Sequence, residues 1–291
     1  MTSSGYFSCV SASGKWLSSG PSEKTLEAFK NLPEAERKPG AVKVPPLDPG
    51  DRTIIAPPEG GLVLRVHGRF LARDDKGQLR HVAKSDFPLV KGNIAFLLEP
   101  NTEYMWLTAA EVQSLVPAKP AKGDRIFVQA NIAERIARFH LSPRRALTSE
   151  DGIIPKSALK QATLTLLVDD ITPERIKLSA HGFVRTGSEF DPAKATSPNG
   201  PLPFGYATAL HGILEYDRVK KTFIRFDMIA PGDVWGRWGD ANGNSQTIER
   251  PGRNPIGFAF ELAAGTSPTD RLPPAGHGGR AIRAGYFGTS K

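Results

Sequence analysis

The chain has 291 residues, a formal charge of +8 at neutral pH and a single cysteine. One cysteine excludes an intrachain disulfide and a cysteine-based zinc site, and no stretch approaches the ~18 apolar residues of a membrane-spanning helix. With 29 glycines and 25 prolines, the composition favours many short strands and turns over a helical bundle. The basic residues allow an acidic partner, but they are dispersed and no nucleic-acid motif occurs, so we do not expect nucleic acid to bind.

The first 58 residues are predicted to form an arm outside the globular part of the protein. Residues 1–21 are small and polar, a composition typical of disorder, and they lack the basic and apolar regions of a signal peptide. Residues 22–31 have the pattern of a short helix with Ser22 as its N-cap. Residues 32–58 contain seven prolines, which indicates a linker or an extended arm.

A small β unit is predicted over residues 59–116. Residues 62–73 alternate between apolar and polar positions, which indicates a strand with one buried face. Its other face carries four basic or imidazole side chains: Arg65, His67, Arg69 and Arg73. After a turn at residues 74–77 the chain returns as a partner strand, and Thr108 with Glu111 has the capping-box spacing of a short helix. The basic face supports one hypothesis, a module that binds an acidic polymer through electrostatic attraction.

A larger antiparallel β domain is predicted over residues 124–275, followed by a flexible tail over 276–291. The predicted elements are a strand at 125–130, a helix from Asn131 to Leu141, a hairpin at 160–185, a second hairpin at 207–230 and a last strand at 255–262. Hairpins with few intervening helices, and without βαβ alternation, predict a mainly β fold. We expect an antiparallel barrel or sandwich with a few short helices.

The second hairpin is the one place where strand geometry forces ionisable groups together. Its alternation puts His211, Glu215, Arg225 and Asp227 on one face. If opposed residue numbers sum to 438, His211 lies opposite Asp227; if they sum to 440, Glu215 lies opposite Arg225. The first register would let Asp227 orient His211 as a base in a hydrolase or lyase acting on a polymer. The alternative is a solvated sheet face with mixed charges.

A loop rich in tryptophan and glycine follows this hairpin and forms a candidate ligand site. Its aromatic and polar side chains suit stacking on a sugar ring and hydrogen bonding to hydroxyl groups: Trp235, Arg237, Trp238, Asp240, Asn242 and Asn244. Tryptophan in an exposed loop usually marks an interface or a ligand surface. The alternative is that both indoles fold back and cover the mouth of a barrel.

No metal or cofactor site is predicted. The histidines lack ligand spacing such as H-x-H or H-E-x-x-H, and His140 reads as a cation at the C-terminus of its helix. Asp240, Asn242 and Asn244 match the first three positions of a calcium loop, but the glycine and glutamate that such a loop needs later are missing. Neither a G-x-S-x-G elbow nor a phosphate-binding loop occurs.

Five short pieces of the chain resemble a group of uncharacterised bacterial proteins, typically exported and common in planctomycete-type bacteria. The pieces are residues 138–141 (RFHL), 210–217 (LHGILEYD), 226–230 (FDMIA) with Trp235 and Gly236, 255–258 (PIGF) and 270–274 (DRLPP). The resemblance covers residues 132–274. It implies an extracytoplasmic, bacterial setting, although no signal peptide is visible, and it lends no catalytic residues.

Three functions therefore remain open. The leading hypothesis is a non-catalytic binding or structural β module of the bacterial cell envelope, with an unknown ligand that could be a polysaccharide. The second is the hydrolase or lyase that uses the His211–Asp227 pair. The third is the basic module that binds an acidic polymer. None of the three requires a cofactor.

Overall fold

The computed structural model describes most of the chain. The described residues are 7–11, 16–37, 56–88, 95–143, 153–192, 204–238, 248–265, 267–274 and 285–288. The chain divides into two compact units, residues 1–52 and residues 53–291. No helix among the described residues is both long and apolar enough to span a lipid bilayer.

The first unit contains more regular structure than the predicted disordered arm. Strands β1 (Phe7–Val10) and β2 (Trp16–Gly20) pair antiparallel, within the residues predicted to be disordered. Helices α1 (Ser22–Lys30) and α2 (Glu34–Arg37) follow. The predicted helix is present, but its N-cap is Pro21 and not Ser22. Most of the proline-rich stretch lies outside the described residues.

The second unit is built on one nine-stranded antiparallel sheet. Its strands are β3 (Leu62–Arg73), β4 (Leu79–His81), β5 (Asn101–Leu107), β6 (Arg125–Phe127), β7 (Leu159–Ile171), β8 (Arg175–Gly187), β9 (Gly205–Asp217), β10 (Thr222–Trp238) and β11 (Ile248–Leu262). They pair in the order β6-β7-β8-β9-β10-β11-β3, and β3 also pairs with both β4 and β5. The predicted antiparallel, mainly β fold is confirmed.

The sheet does not close into a barrel. Within the described part of the chain no strand pairing joins β5 to β6, so the fold is sandwich-like, and the barrel alternative is excluded. The predicted boundary between residues 116 and 124 does not divide this sheet, because β3 of the predicted small unit pairs with β11 of the predicted larger domain. The alternating pattern of β3 shows which of its faces is buried, but it cannot show that the neighbouring strand, β11, lies almost two hundred residues further along the chain.

Short helices cover the inner face of the sheet. They are α3 (Ala95–Leu98), α4 (Ala109–Ser114) and α5 (Ala130–Arg135), and α5 continues as a π-helical turn over Ile136–His140. The Thr108–Glu111 capping box is present. Helix α5 begins after Gln129, so Asn131 is not its N-cap; its side-chain amide instead donates to Glu111 Oε1 at 3.3 Å.

The core lies between α5 and the curved sheet. Leu64 of β3 and Leu166 of β7, near opposite ends of the strand order, line the same apolar cavity as Ile132 and Ile136 of the α5 segment. The sheet must therefore curl around this segment. Burial of each such side chain stabilises the fold by roughly 1.5–3 kcal/mol. The side of the sheet that faces α5 is called the inner face below, and the opposite side the outer face.

Candidate functional site

The β9–β10 hairpin adopts the second of the two predicted registers. From Arg225 to Trp235, opposed residue numbers sum to 440, and Arg225 lies opposite Glu215. A bulge at Ile224 separates this register from the one next to the turn. The Arg225 guanidinium lies 3.9 Å from Glu215 Oε1 and donates to Asp227 Oδ2 at 2.6 Å. The face is therefore a partly solvated network of mixed charges, as the alternative interpretation predicts.

His211 does not meet Asp227. Its directly opposed residue on β10 is Ile229, and Asp227 lies opposite Ile213. The Asp227 carboxylate is held by Arg225. The contact on which the hydrolase or lyase hypothesis rests is therefore not made. In the observed register the residue opposite His211 is two positions further along β10 than Asp227.

One row of directly paired residues crosses the whole outer face. From β6 to β5 it runs Phe127, Thr165, His181, His211, Ile229, Ala259, His67, Thr102. Several large apolar side chains on this face are open to solvent: Phe183 is 37% exposed, Ile213 51%, Ile229 53% and Phe127 79%. Such exposed apolar groups on one sheet face are typical of an interaction surface.

An open groove lies on the outer face beside this row. The hollow spans about 1050 Å³, a volume that includes open solvent. Its base is formed by small residues of β9 and β10, among them Ala207, Ala209 and Gly232, and its sides carry aromatic and charged groups. Phe183 lies at the end nearest His181. A second hollow that includes Lys160 shares part of this wall and extends the groove.

Trp235 forms a wall of the groove and not an exposed stacking surface. Its side chain is 5% exposed, and Nε1 donates to the Ser188 carbonyl at 3.1 Å. The indole lies against Gly205, where any Cβ would overlap it. Phe190 packs edge-on at 5.9 Å, and the Arg253 guanidinium lies 5.2 Å from the indole centroid. The prediction of an open indole is wrong at Trp235, because the chain around Phe190 folds over it.

The predicted loop begins later than expected, because residues 235–238 belong to strand β10, where Arg237 pairs with Glu249 and Trp238 with Ile248. Asp240, Asn242 and Asn244 lie outside the described residues, as do the side chains of Arg237 and Trp238.

Two arginine–carboxylate pairs stand along the groove. Arg253 Nη2 lies 3.1 Å from Asp233 Oδ2, and Arg185 Nη1 lies 2.6 Å from Glu189 Oε1. Both arginine side chains remain almost half exposed. A carboxylate partner fixes the plane of a guanidinium and leaves further N–H groups to donate to a ligand.

The predicted basic face of β3 is neutralised in part. Arg65 forms a two-bond ion pair with Asp270, at 2.9 and 3.1 Å, and also reaches Glu261 at 3.3 Å. The hydrogen bond from Arg65 lowers the pKa of Asp270 below its usual range. His67 Nε2 lies 3.3 Å from the same Glu261.

The other two basic residues of that strand donate to backbone carbonyls, Arg69 to Leu98 and Arg73 to Gly77. These two arginines keep their positive charge, whereas Arg65 has carboxylate partners, so the basic face offers an acidic polymer fewer free charges than its sequence indicates.

A buried ion pair, which the sequence reasoning missed, closes the free edge of β5. Arg135 donates to both carboxylate oxygens of Glu111 and to the Trp106 carbonyl, and its Nε donates to the Tyr286 carbonyl at 2.8 Å. The guanidinium also lies over the Tyr286 and Phe287 rings, at 4.7 and 4.9 Å. Burial raises the pKa of Glu111, but the bonds from Arg135 and Thr108 outweigh it, and the net pKa is lowered.

His140 belongs to the same buried cluster and is not a helix-terminal cation. The Tyr286 hydroxyl accepts from the Trp106 N–H at 3.0 Å and lies 2.7 Å from His140 Nε2. Because a carboxylate can only accept, Nδ1 carries the ring proton and donates to Glu103 Oε1 at 3.0 Å, and Nε2 accepts from the hydroxyl. Complete burial, with the nearby charge of Arg135, lowers the pKa of His140 to about 3. The neutral ring is a structural hydrogen-bond bridge.

Tyr286 lies in the predicted flexible tail, yet its side chain is buried in this cluster. The apolar spacing of the α5 segment carries the signal that could have located the cluster. Residues 132, 136 and 139 mark the buried stripe of that segment, and Arg135 and His140 fall on the same stripe.

Within the described part of the chain, no three His, Cys, Asp or Glu side chains are grouped to hold a metal ion.

Comparisons of this chain with protein-family models, with curated proteins and with solved structures find no match.

Proposed function

We propose that this chain is a non-catalytic binding module that holds a polysaccharide in the outer-face groove of β8–β11. The observation that carries the proposal is the groove itself: an open hollow with an apolar platform at Phe183 and two guanidinium groups, Arg185 and Arg253, that are each paired with a carboxylate. A bacterial cell-envelope setting is part of the proposal and depends only on the sequence resemblance.

The chemistry of the groove favours a sugar polymer over a small apolar ligand. A small-molecule site is a deep and mostly apolar pocket, whereas this groove is shallow and open along the sheet. The faces of aromatic rings suit the C–H faces of sugars, and fixed arginine donors suit their hydroxyl groups. Phe183 and Arg253 can supply these two contacts from rigid strands, which keeps the ordering cost of binding small.

Binding without catalysis is favoured by the contacts of the two carboxylates in the groove. Glu189 and Asp233 are each paired with an arginine. Glycoside cleavage needs two carboxyl groups that flank the scissile bond and act on it directly.

The proposal is tested by affinity electrophoresis of the full chain in gels that contain dextran, xylan or alginate. We expect at least one polymer to retard the protein. Phe183→Ala and Arg253→Gln should each weaken the retardation about tenfold, the effect of losing ~1.4 kcal/mol of binding free energy.

Two control variants lie on the same outer face but outside the groove. Phe127→Ala removes a more exposed phenyl ring from β6, and Arg175→Gln removes an exposed guanidinium from β8. Both should bind as the wild type does. Equal weakening by Phe127→Ala and Phe183→Ala, or no retardation by any of the polymers, would rule out the groove as a polysaccharide site. Retardation by alginate alone that vanishes at high salt would point to simple charge attraction.

A further inference from the structure

Two histidines from neighbouring strands meet on the outer face. His181 of β8 is directly opposite His211 of β9, and directly opposed residues have Cβ atoms about 4.5–5.5 Å apart. Their ring centroids are 6.0 Å apart, with an angle of 80° between the ring planes. Both side chains are exposed. Neither imidazole makes a hydrogen bond or an ion pair with another residue that the structure describes.

The spacing of the two rings suits a single metal ion. Zinc binds imidazole nitrogen at about 2.0–2.1 Å, so two nitrogens on one tetrahedral ion lie roughly 3 Å apart. Rotation about the side-chain torsions can bring a nitrogen of each ring to that separation, and the backbone does not have to move. β8 pairs with β7 and β9, and β9 pairs with β8 and β10, so both ligands stand on strands that are held on both edges.

We propose that His181 and His211 form a binding site for a zinc, nickel or copper ion. Imidazole nitrogen suits these ions, and two protein ligands leave positions for water or for a ligand atom. No lysine or arginine is directly opposite either ring, since the other opposed residues are Thr165 and Ile229. The site is independent of the proposed function, although Phe183 of the groove lies two residues along β8 from His181.

The first test is calorimetric titration of the full chain with Zn²⁺ at pH 7.5. The wild type should bind one equivalent at this site. His181→Ala and His211→Ala should each raise the Kd at least tenfold, because a single imidazole cannot chelate the ion. His81→Ala is the matched control, since it removes an exposed histidine elsewhere on the sheet. His67→Ala removes a half-buried histidine that bonds to Thr102 and Glu261, and neither variant should change the Kd.

The second test identifies the ligands directly. The electron paramagnetic resonance spectrum of the wild type with one equivalent of Cu²⁺ should show coupling to two imidazole nitrogens, and His181→Gln and His211→Gln should each lose that pattern. The substituted side chains are exposed, so the fold should survive, and circular dichroism checks this. Wild-type affinity in either alanine variant, an equal loss in His67→Ala, or no binding of Zn²⁺ and Cu²⁺ overturns the proposal.

Discussion

The outer face of β8–β10 and the buried cluster at the β5 edge use ionisable groups in opposite ways. On the outer face, Arg225 contacts Glu215 and Asp227 while all three remain in reach of solvent. At the β5 edge, Arg135 and His140 are almost completely buried, and their donors are directed to named acceptors. We expect the exposed network to tolerate substitution, and the buried cluster to be needed to hold the open edge of the sheet in place.

The sharpest test of this contrast is Arg135→Met. The substitution leaves the Glu111 carboxylate buried without its counter-ion and also removes the donors to two backbone carbonyls. We expect the free energy of unfolding, measured by urea denaturation, to fall by about 3–5 kcal/mol. Arg175→Met is the control, since the Arg175 side chain is 55% exposed and lies 3.6 Å from Glu215, and it should cost less than about 1 kcal/mol. Losses of equal size would break the contrast.

Tyr286→Phe distinguishes the contribution of the Tyr286 hydroxyl to stability from that of its ring, because it removes only the hydroxyl. The ring contacts with Phe139 and Arg135 remain, but His140 Nε2 and the Trp106 N–H lose their shared partner. A buried polar group left without a partner costs about 1–3 kcal/mol, and the same urea measurement should show a loss in that range. An unchanged midpoint would mean that the hydroxyl does not bridge these groups.

The buried histidine should make stability depend on pH. His140 in the unfolded chain takes up a proton near pH 6.5, whereas its folded pKa is about 3. Below pH 6.5 the unfolded state therefore binds more protons, and the free energy of unfolding should fall by about 1 kcal/mol per pH unit as the solution is acidified.

Glu111, Asp86 and Asp270 add nothing to the slope between pH 6.5 and 5, because their pKa values are lowered and these carboxyl groups stay ionised there. His140→Gln should be less stable than the wild type at pH 7 but should lose most of the slope. His67→Gln should keep it. A wild-type slope in the His140 variant would contradict the assignment.

The smallest effect is expected at the charge network that the sequence reasoning identified. Arg225→Ala should change the free energy of unfolding by no more than about 1 kcal/mol, because exposed ion pairs contribute little. A double-mutant cycle with Glu215→Gln should give a coupling energy below that of the Arg135–Glu111 pair. A coupling of several kcal/mol would show that this face is shielded from solvent.

Local alternation was enough to predict the hairpins and the faces of most of their residues. It fails before the bulge of β10, where Phe223 is buried and Ile224 is exposed, the reverse of what strict alternation predicts. Leu210, Leu214 and Phe226 point to the core and His211 to the outer face, as expected. The choice between the two registers was not accessible, because it depends on the bulge at Ile224, which adds one residue to β10. An extra residue leaves no mark in an alternating pattern when it is itself apolar.

Long-range pairing and the buried cluster were also beyond sequence patterns. The pairing of β3 with β11 joins strands whose local signals are independent of each other. Tyr286 stands in a stretch rich in glycine and alanine, where composition predicts a flexible tail, and only the three-dimensional pocket around Arg135 explains its burial. The prediction of an exposed indole is wrong at Trp235 for a related reason. Phe190 packs against the indole, and no local motif indicates the turn that brings it there.

The hydrogen bonds that Tyr286 and Arg135 make to the backbone of Trp106, at the free edge of β5, have a consequence for folding during synthesis. Strand β3 emerges from the ribosome early, but its neighbour β11 and the Tyr286 side chain that caps β5 are synthesised much later. A nascent chain must therefore hold unpaired strand edges for most of its translation, and such edges attract other chains. From this order of assembly we expect the chain to depend on chaperones during synthesis. We also expect chains truncated before Tyr286 to aggregate.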